Sequence, residues 1–278
     1  MPIFSCILRR LLPFLALAVL FHGAQAAESS SRLVDIDHAA CRALHDSGVM
    51  HATAPVRCDQ LRIVRFSYVG FDGRQHNDGE IMVMAAAAEH VQAIFDALLK
   101  RKFAIAGARL MNRYNGDDQA SMRDNNSSAF NDRAVIGASA PSLHAYGLAI
   151  DLNPVQNPFL QFGEDGKATF SPDAGSRYAN RLQQRPGKPA RKGMAEDVVA
   201  LFAEHGFVIW GGDWDAPIDY QHFQTSRALA KRLAALPAAE GRAVFSAYVQ
   251  RYRSCMREKP SGNDRQSACI TSAERTQP

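Results

Sequence analysis

Apolar and polar positions along the chain predict short strands separated by helices and by two long irregular stretches. Leu61–Tyr68 is rich in β-branched and aromatic residues and predicts a strand. A turn at Gly70-Phe71-Asp72-Gly73 and a second strand at Gly79–Met84 make a hairpin with a long loop. Ala85–Lys100 predicts a helix, because Val91, Ile94, Phe95, Leu98 and Leu99 recur at helical spacing and form a core stripe. Lys100, Arg101 and Lys102 then suit the helix C-terminus. Further strands are expected at Phe103–Met111, Leu148–Leu152, Phe207–Trp210 and Tyr220–Gln224. Further helices are expected around Val34–Leu44 and at Met194–His205, Ser226–Leu236 and Ala238–Met256. Residues 112–134 and 153–193 carry neither period and read as loops. A loop as long and polar as 112–134 is more often functional than decorative, whereas 153–193 reads either as a mobile surface loop or as a wall or lid of the site. The polar tail from Glu258 reads as mobile apart from a possible disulfide, and no internal repeat is present.

The first residues change that picture from a cytosolic to an exported chain. Arg9 and Arg10 precede an apolar run from Leu11 to Phe21, and Ala24-Gln25-Ala26 is a small-x-small cleavage site. A signal peptide over residues 1–26 is therefore expected, with export to the periplasm or beyond. The run is too short for a permanent span, so the mature chain is expected to have no integral membrane span. Cys41, Cys58, Cys255 and Cys269 remain after cleavage. An even number in an exported chain favours disulfides, with three pairings open. The sequence-local pairing would staple the two ends of the chain separately.

With 278 residues, 46% of them hydrophobic, the chain suffices for one sizeable domain. Its net charge of +4 is mild, and no basic stripe with interleaved aromatics occurs. Nucleic acid is therefore not an expected partner, whereas an anionic polymer fits.

The chemistry concentrates in Ser142-Leu143-His144-Ala145-Tyr146-Gly147-Leu148-Ala149-Ile150-Asp151 and in Asp219-Tyr220-Gln221-His222. His144, Asp151 and His222 supply two imidazoles and a carboxylate, the ligand set of one catalytic zinc ion with an open position. Asp219 is left as a general base that takes a proton from the attacking water and passes it to the leaving amine. His144 and Asp151 are seven residues apart, and an odd spacing on a straight strand puts side chains on opposite faces. Gly147 is the residue expected to bend or bulge the chain, and Asp219 is expected in the bend that enters the His222 strand, beside Pro217. His38, His45, His51, His76, His90 and His205 read as surface or satisfied core residues.

Ser142-x-His144-x-x-Gly147-x-Ala149-x-Asp151 followed by Asp219-x-x-His222 resembles the VanY-like D-alanyl-D-alanine carboxypeptidase family of zinc metallopeptidases, of the lysostaphin/hedgehog-type fold. The resemblance runs from about Gly79 to Phe223. It takes in Asn126-Ser127-Ser128-Ala129-Phe130-Asn131-x-Arg133, the Asp151-to-Pro158 run and Trp210-Gly211-Gly212-Asp213-Trp214. It implies an α+β fold with a small central antiparallel sheet flanked by helices and a zinc site on the sheet. His144, Asp151 and His222 would hold one Zn2+, and Asp219 would be the base. Arg133, ahead of Arg123 and Arg113, would stabilise charge on substrate or transition state. Ser142, Trp210 and Trp214 would line the substrate pocket. The implied organisation is a signal peptide at 1–26, an N-terminal arm at 27–78, a zinc peptidase domain at 79–228, and C-terminal helices with a polar tail at 229–278.

The implied activity is zinc-dependent hydrolysis of peptidoglycan stem peptides, as a D-Ala-D-Ala carboxypeptidase or as an endopeptidase of the same fold. Two other classes compete. A non-catalytic, metal-bearing wall-binding module would have no need of Asp219. A non-haem iron oxygenase uses the same three ligand types, but usually with the first histidine and carboxylate two residues apart.

Overall fold

The computed structural model describes Met1, residues 31–262 and residues 264–275. The signal peptide expected over 1–26, with Cys6, otherwise lies outside the described residues. Among the described residues no helix is long and apolar enough to cross a membrane. The architecture is α+β: small antiparallel sheets flanked by helices.

Strand β1 (Arg32–Asp35) and helix α1 (His38–Asp46) open the chain, so the helix expected around Val34–Leu44 starts later and a strand precedes it. Asp37 caps α1 by accepting from the Ala40 amide at 2.7 Å. The hairpin of β2 (Leu61–Val69) and β3 (Gln75–Met84) follows, with β1 on the outer edge of β2. The strands reach further toward the Gly70–Arg74 turn than expected, so the loop is short. The boundary expected at 78/79 falls inside β3.

Helix α2 (Ala88–Lys100) buries Val91, Ile94, Phe95 and Leu98 as its periodicity requires. Phe95 stacks on Phe66 of β2 with ring centroids 3.8 Å apart. The strand expected at 103–111 does not form. Ala104 and Ala108 make only single bridges, to Val69 and Ser127. The loop expected at 112–134 contains the short helix α3 (Asp118–Arg123), capped by Asp117.

Two further three-stranded sheets carry the rest. β4 (Ala149–Asp151) runs antiparallel to the central β9 (His222–Gln224), whose other neighbour is β7 (Ile209–Trp210). β5 (Phe159–Phe162) lies between β6 (Ala168–Ser171) and β8 (Ile218–Asp219). The segment at 153–193 is therefore partly regular, and both its ends are anchored. Asn153 and Asn157 each donate to Gly193 O, at 3.1 and 3.0 Å. Arg181 makes a two-pronged contact to Glu196, 2.7 Å at each nitrogen. The expected helix at 194–205 is a 3-10 turn followed by α4 (Val199–Glu204).

Helices α5 (Arg227–Ala234), α6 (Ala238–Glu258) and α7 (Arg265–Glu274) close the chain. The tail, expected to be mobile apart from a disulfide, thus carries a helix over Arg265–Glu274. Cys255–Cys269 ties α7 to α6, Cys269 and Ala273 are buried, and Arg251 donates twice to Ala273 O. Cys41–Cys58 ties α1 to the start of β2, so the pairing is the sequence-local one. Gln60 donates to Ala234 O and Leu236 O, satisfying carbonyls at the end of α5 and joining the two termini of the fold.

Candidate metal centre

His144 reaches the site from a turn rather than a strand. Ser142 Oγ accepts from the His144 amide at 3.3 Å and starts a 3-10 turn over Leu143–Tyr146. Gly147 ends it in the left-handed region, at φ 65°, where glycine carries no steric penalty. A Cβ on Gly147 would stand 2.6 Å from the Met84 amide nitrogen, which itself donates to Gly147 O at 2.9 Å. The sharp turn and the contact with β3 both require glycine. The odd spacing from His144 to Asp151 is resolved by a sharp bend at Gly147, where a turn enters a three-residue strand, rather than by a bulge.

Asp151 and His222 are directly opposed residues of β4 and β9, so their side chains share a face. His222 Nδ1 lies 2.9 Å from Asp151 Oδ1, and His144 Nε2 lies 3.2 Å from both Asp151 Oδ2 and His222 Nδ1. All three residues are buried. Backbone pairing fixes Asp151 from the other side as well, through Ser128 N to Asp151 O at 3.0 Å and Asp151 N to Ser128 O at 2.8 Å.

The outward ring nitrogens have their own partners. His144 Nδ1 lies 2.6 Å from Ala129 O, and His222 Nε2 lies 2.8 Å from Gln224 Oε1. Carbonyl oxygens only accept, so each contact holds a proton on the outer nitrogen and leaves the inner one for a cation. Sequence reasoning missed both partners. Gln224 is two residues from His222 on one strand and so on the same face, a signal that period-two reading could have used. Ala129 contributes only main chain, which carries no signal.

The electrostatics follow from burying three such groups together. Burial alone would lower the His222 pKa, but hydrogen bonding and charge from Asp151 outweigh it and raise it to about 9. Burial alone would raise Asp151, but the two imidazoles hold it well below the ordinary carboxylate range. Two imidazoles and an ionised carboxylate, with inner nitrogens aimed at one point, suit a divalent ion, and this buried group could hold one. Cys41, Cys58 and His45 form a second cluster of ligand-type residues, but both sulfurs are used in the disulfide.

Asp219 ends β8, opposite Phe159 of β5, and the chain then bends through Tyr220 and Gln221 into β9. Its expected position in the bend is the observed one. Its Oδ1 is buried and has no hydrogen-bond partner among the described residues. Burial, and then the negative charge of Asp151, push its pKa up to about 7. Gly211 lets the 211–213 turn lie against it: a Cβ there would stand 2.5 Å from Asp219 O.

His144, Asp219 and His222 open into one cavity of about 340 Å³. Ser142, Arg133 and Trp214 also line it, the Trp214 ring 5.5 Å from that of His222. Trp210 is not among its lining residues. It stacks on Phe223 and donates from Nε1 to Tyr220 O at 2.9 Å. Arg113 and Arg123 do not line the cavity either. Arg133 Nη2 pairs with Asp118 Oδ2 at 2.9 Å, while its buried Nε has no partner among the described residues. Asp118, Gln119, Phe159, Gln161 and Arg227 complete much of the wall and were not anticipated. They come from segments that read as loops or fell outside the motif.

Residues 136–225 match the model of a protein family described as D-alanyl-D-alanine carboxypeptidase. The match holds His144, Asp151, Asp219 and His222 and begins after Arg133. No curated protein and no solved structure matches the chain.

Proposed function

We propose, from the match of residues 136–225 to the D-alanyl-D-alanine carboxypeptidase family model, that the chain is an exported zinc peptidase that cuts peptidoglycan stem peptides, foremost as a D-Ala-D-Ala carboxypeptidase. The observation that carries this reading is the cavity itself. His144, His222 and Asp219 line one space, whose wall mixes polar and apolar side chains.

His144, Asp151 and His222 would hold the ion. A zinc ion there supplies Lewis acidity, polarising a carbonyl and easing ionisation of water near neutral pH. Asp219 takes the proton of the attacking water and returns it to the departing amine. Burial raises this carboxyl above the ordinary carboxylate range, which makes it a stronger base for the first half of that task and leaves it able to return the proton in the second. Arg133 lines the cavity and is held on Asp118, and its guanidinium charge is set against negative charge developing on the substrate carbonyl. Trp214 and Phe159 wall the peptide and keep bulk water from the proton transfer.

The test is incubation of the mature protein and zinc with a pentapeptide-bearing muropeptide, with products read by mass spectrometry. Released D-alanine is expected. No cleavage at any bond would end the enzymatic reading. Cleavage only at an internal bond would make the chain an endopeptidase of the same fold.

A further inference from the structure

The cavity holds two guanidinium groups, and only one of them meets a carboxylate of the protein. Arg133 is paired with Asp118, at side-chain exposures of 26% and 22%. Arg227 has no ion-pair partner among the described residues; its Nη1 donates to Pro141 O at 2.7 Å. That contact holds it in place. Pro141 ends a short hairpin that Ala134 begins, closed by the Ala134–Pro141 bridge and by Val135 N to Ala140 O at 2.9 Å. At the other end, Arg227 is the first residue of α5, whose cap is Ser226 Oγ accepting from the Leu229 amide at 3.2 Å. The guanidinium therefore stands on the cavity wall with donors left over and its charge unmet.

The geometry points to Arg227 as the group that binds the free C-terminal carboxylate of the peptide, which makes the chain an exopeptidase. This rests on the peptidase reading above and deepens it. A peptide that ends beside the scissile bond carries a negative charge into a cavity whose wall is partly apolar. Burying it is favourable only beside an unpaired cation, best a planar one that meets both oxygens. Arg133 is compromised for that role by Asp118. An internal bond brings no such charge and leaves Arg227 unpaired.

The experiment compares wild type, Arg227→Gln and Arg227→Lys on a peptide with a free C-terminal carboxylate and on its C-terminal amide. kcat and KM are measured separately with zinc present. In parallel, binding of both peptides to hydrolysis-deficient Asp219→Asn protein is followed by tryptophan fluorescence, since Trp214 lines the cavity. Wild type should prefer the free acid by about tenfold or more, the size of one charge-assisted contact. Arg227→Gln should erase that preference, mostly through KM, and Arg227→Lys should restore part of it. Equal losses on both peptides, or a wild type indifferent to the terminus, would overturn the assignment. If wild type cleaves neither peptide, the peptidase reading has failed. The binding arm still decides the carboxylate site, through a free-acid preference present in Asp219→Asn and absent in Asp219→Asn/Arg227→Gln. If Arg227→Gln fails to fold, the lysine variant carries the same comparison.

Discussion

The side-chain oxygen of Gln224 stands 2.8 Å from His222 Nε2, two residues along the same strand. It selects the imidazole nitrogen that faces the cavity. Gln224→Ala removes the acceptor and frees the ring to change tautomer. Zinc affinity should fall about 10–100-fold with the fold intact. Competition against a chromophoric chelator measures it, and unchanged affinity would remove Gln224 from the support of the site.

Metal uptake should release protons. The metal-free His222 has its pKa raised to about 9 and is an imidazolium at pH 7, whereas a ligand must be neutral. About one proton should leave His222 for each ion bound at pH 7, and apparent affinity should climb with pH until about 9. The same shift gives metal-free stability a sign. A folded pKa above the unfolded ~6.5 contributes stability in full below ~6.5 and loses it as pH rises through about 9. Calorimetry in buffers of different ionisation enthalpy counts the protons, and zero release would contradict the imidazolium.

The candidate ligand group was legible because the resemblance names residue types in a fixed order, and the fold brings His144, Asp151 and His222 together. Their geometry was less so. The spacing from His144 to Asp151 rules out a straight strand and points to Gly147, but sequence reasoning missed the 3-10 turn that Ser142 and Gly147 cap, although both caps are visible in the sequence. Residues 103–111 are apolar enough for a strand but lack a ladder partner, and pairing is decided by distant chain. Helix α7 was hidden because its stability comes from Cys269, Ala273 and Arg251 rather than from a stripe of large apolar residues. The pocket wall was hidden for the same reason. Asp118 and Arg227 meet in one cavity only after folding.

Asp219 and His144 should separate on mutation. Asp219→Asn removes the proton acceptor and should cut turnover by about 10²–10⁴ while zinc still binds. His144→Ala should lose zinc and activity together. Loss of zinc in Asp219→Asn would contradict its role as base. In wild type the rate should rise with pH as Asp219 ionises. Its metal-free pKa is raised to about 7, and a neighbouring divalent cation favours the carboxylate, so the acid limb of kcat/KM should lie below 7.

Acid should loosen the junction between α2, α4 and α6. His205 and His90 rings meet edge to face at 5.7 Å, and Arg253 Nη2 lies 3.4 Å from His205 Nδ1. Burial first, then the Arg253 charge, push His205 down to about 4, and burial also lowers His90. A depressed histidine pKa means the unfolded chain binds the proton more readily. This stability contribution is complete above ~6.5 and is lost as pH falls from there toward about 4. The melting midpoint should drop across that window, and His205→Gln should flatten the drop. A midpoint independent of pH between 7 and 4 would show that the pair carries no such penalty.

Gly147→Ala tests whether the turn positions the metal site. The substitution puts a Cβ on a residue at φ 65°, a penalty of about 1–2 kcal/mol by itself. It also drives that carbon to 2.6 Å from Met84 N and 3.0 Å from Val83 C, both backbone atoms that cannot rotate away. Relief requires separating the 143–147 turn from β3, which breaks the Met84 N to Gly147 O bond and moves His144 with it. The variant should therefore melt several degrees lower, and whatever folds should bind zinc more weakly than wild type. Gly166→Ala is the matched control. Gly166 has φ 74° and nothing within 4 Å of an added Cβ, so it carries the same backbone penalty without the clash. It should lower the melting point less and leave zinc affinity alone. Equal effects of the two substitutions would mean that backbone conformation, not the packing of the turn on β3, accounts for the glycine.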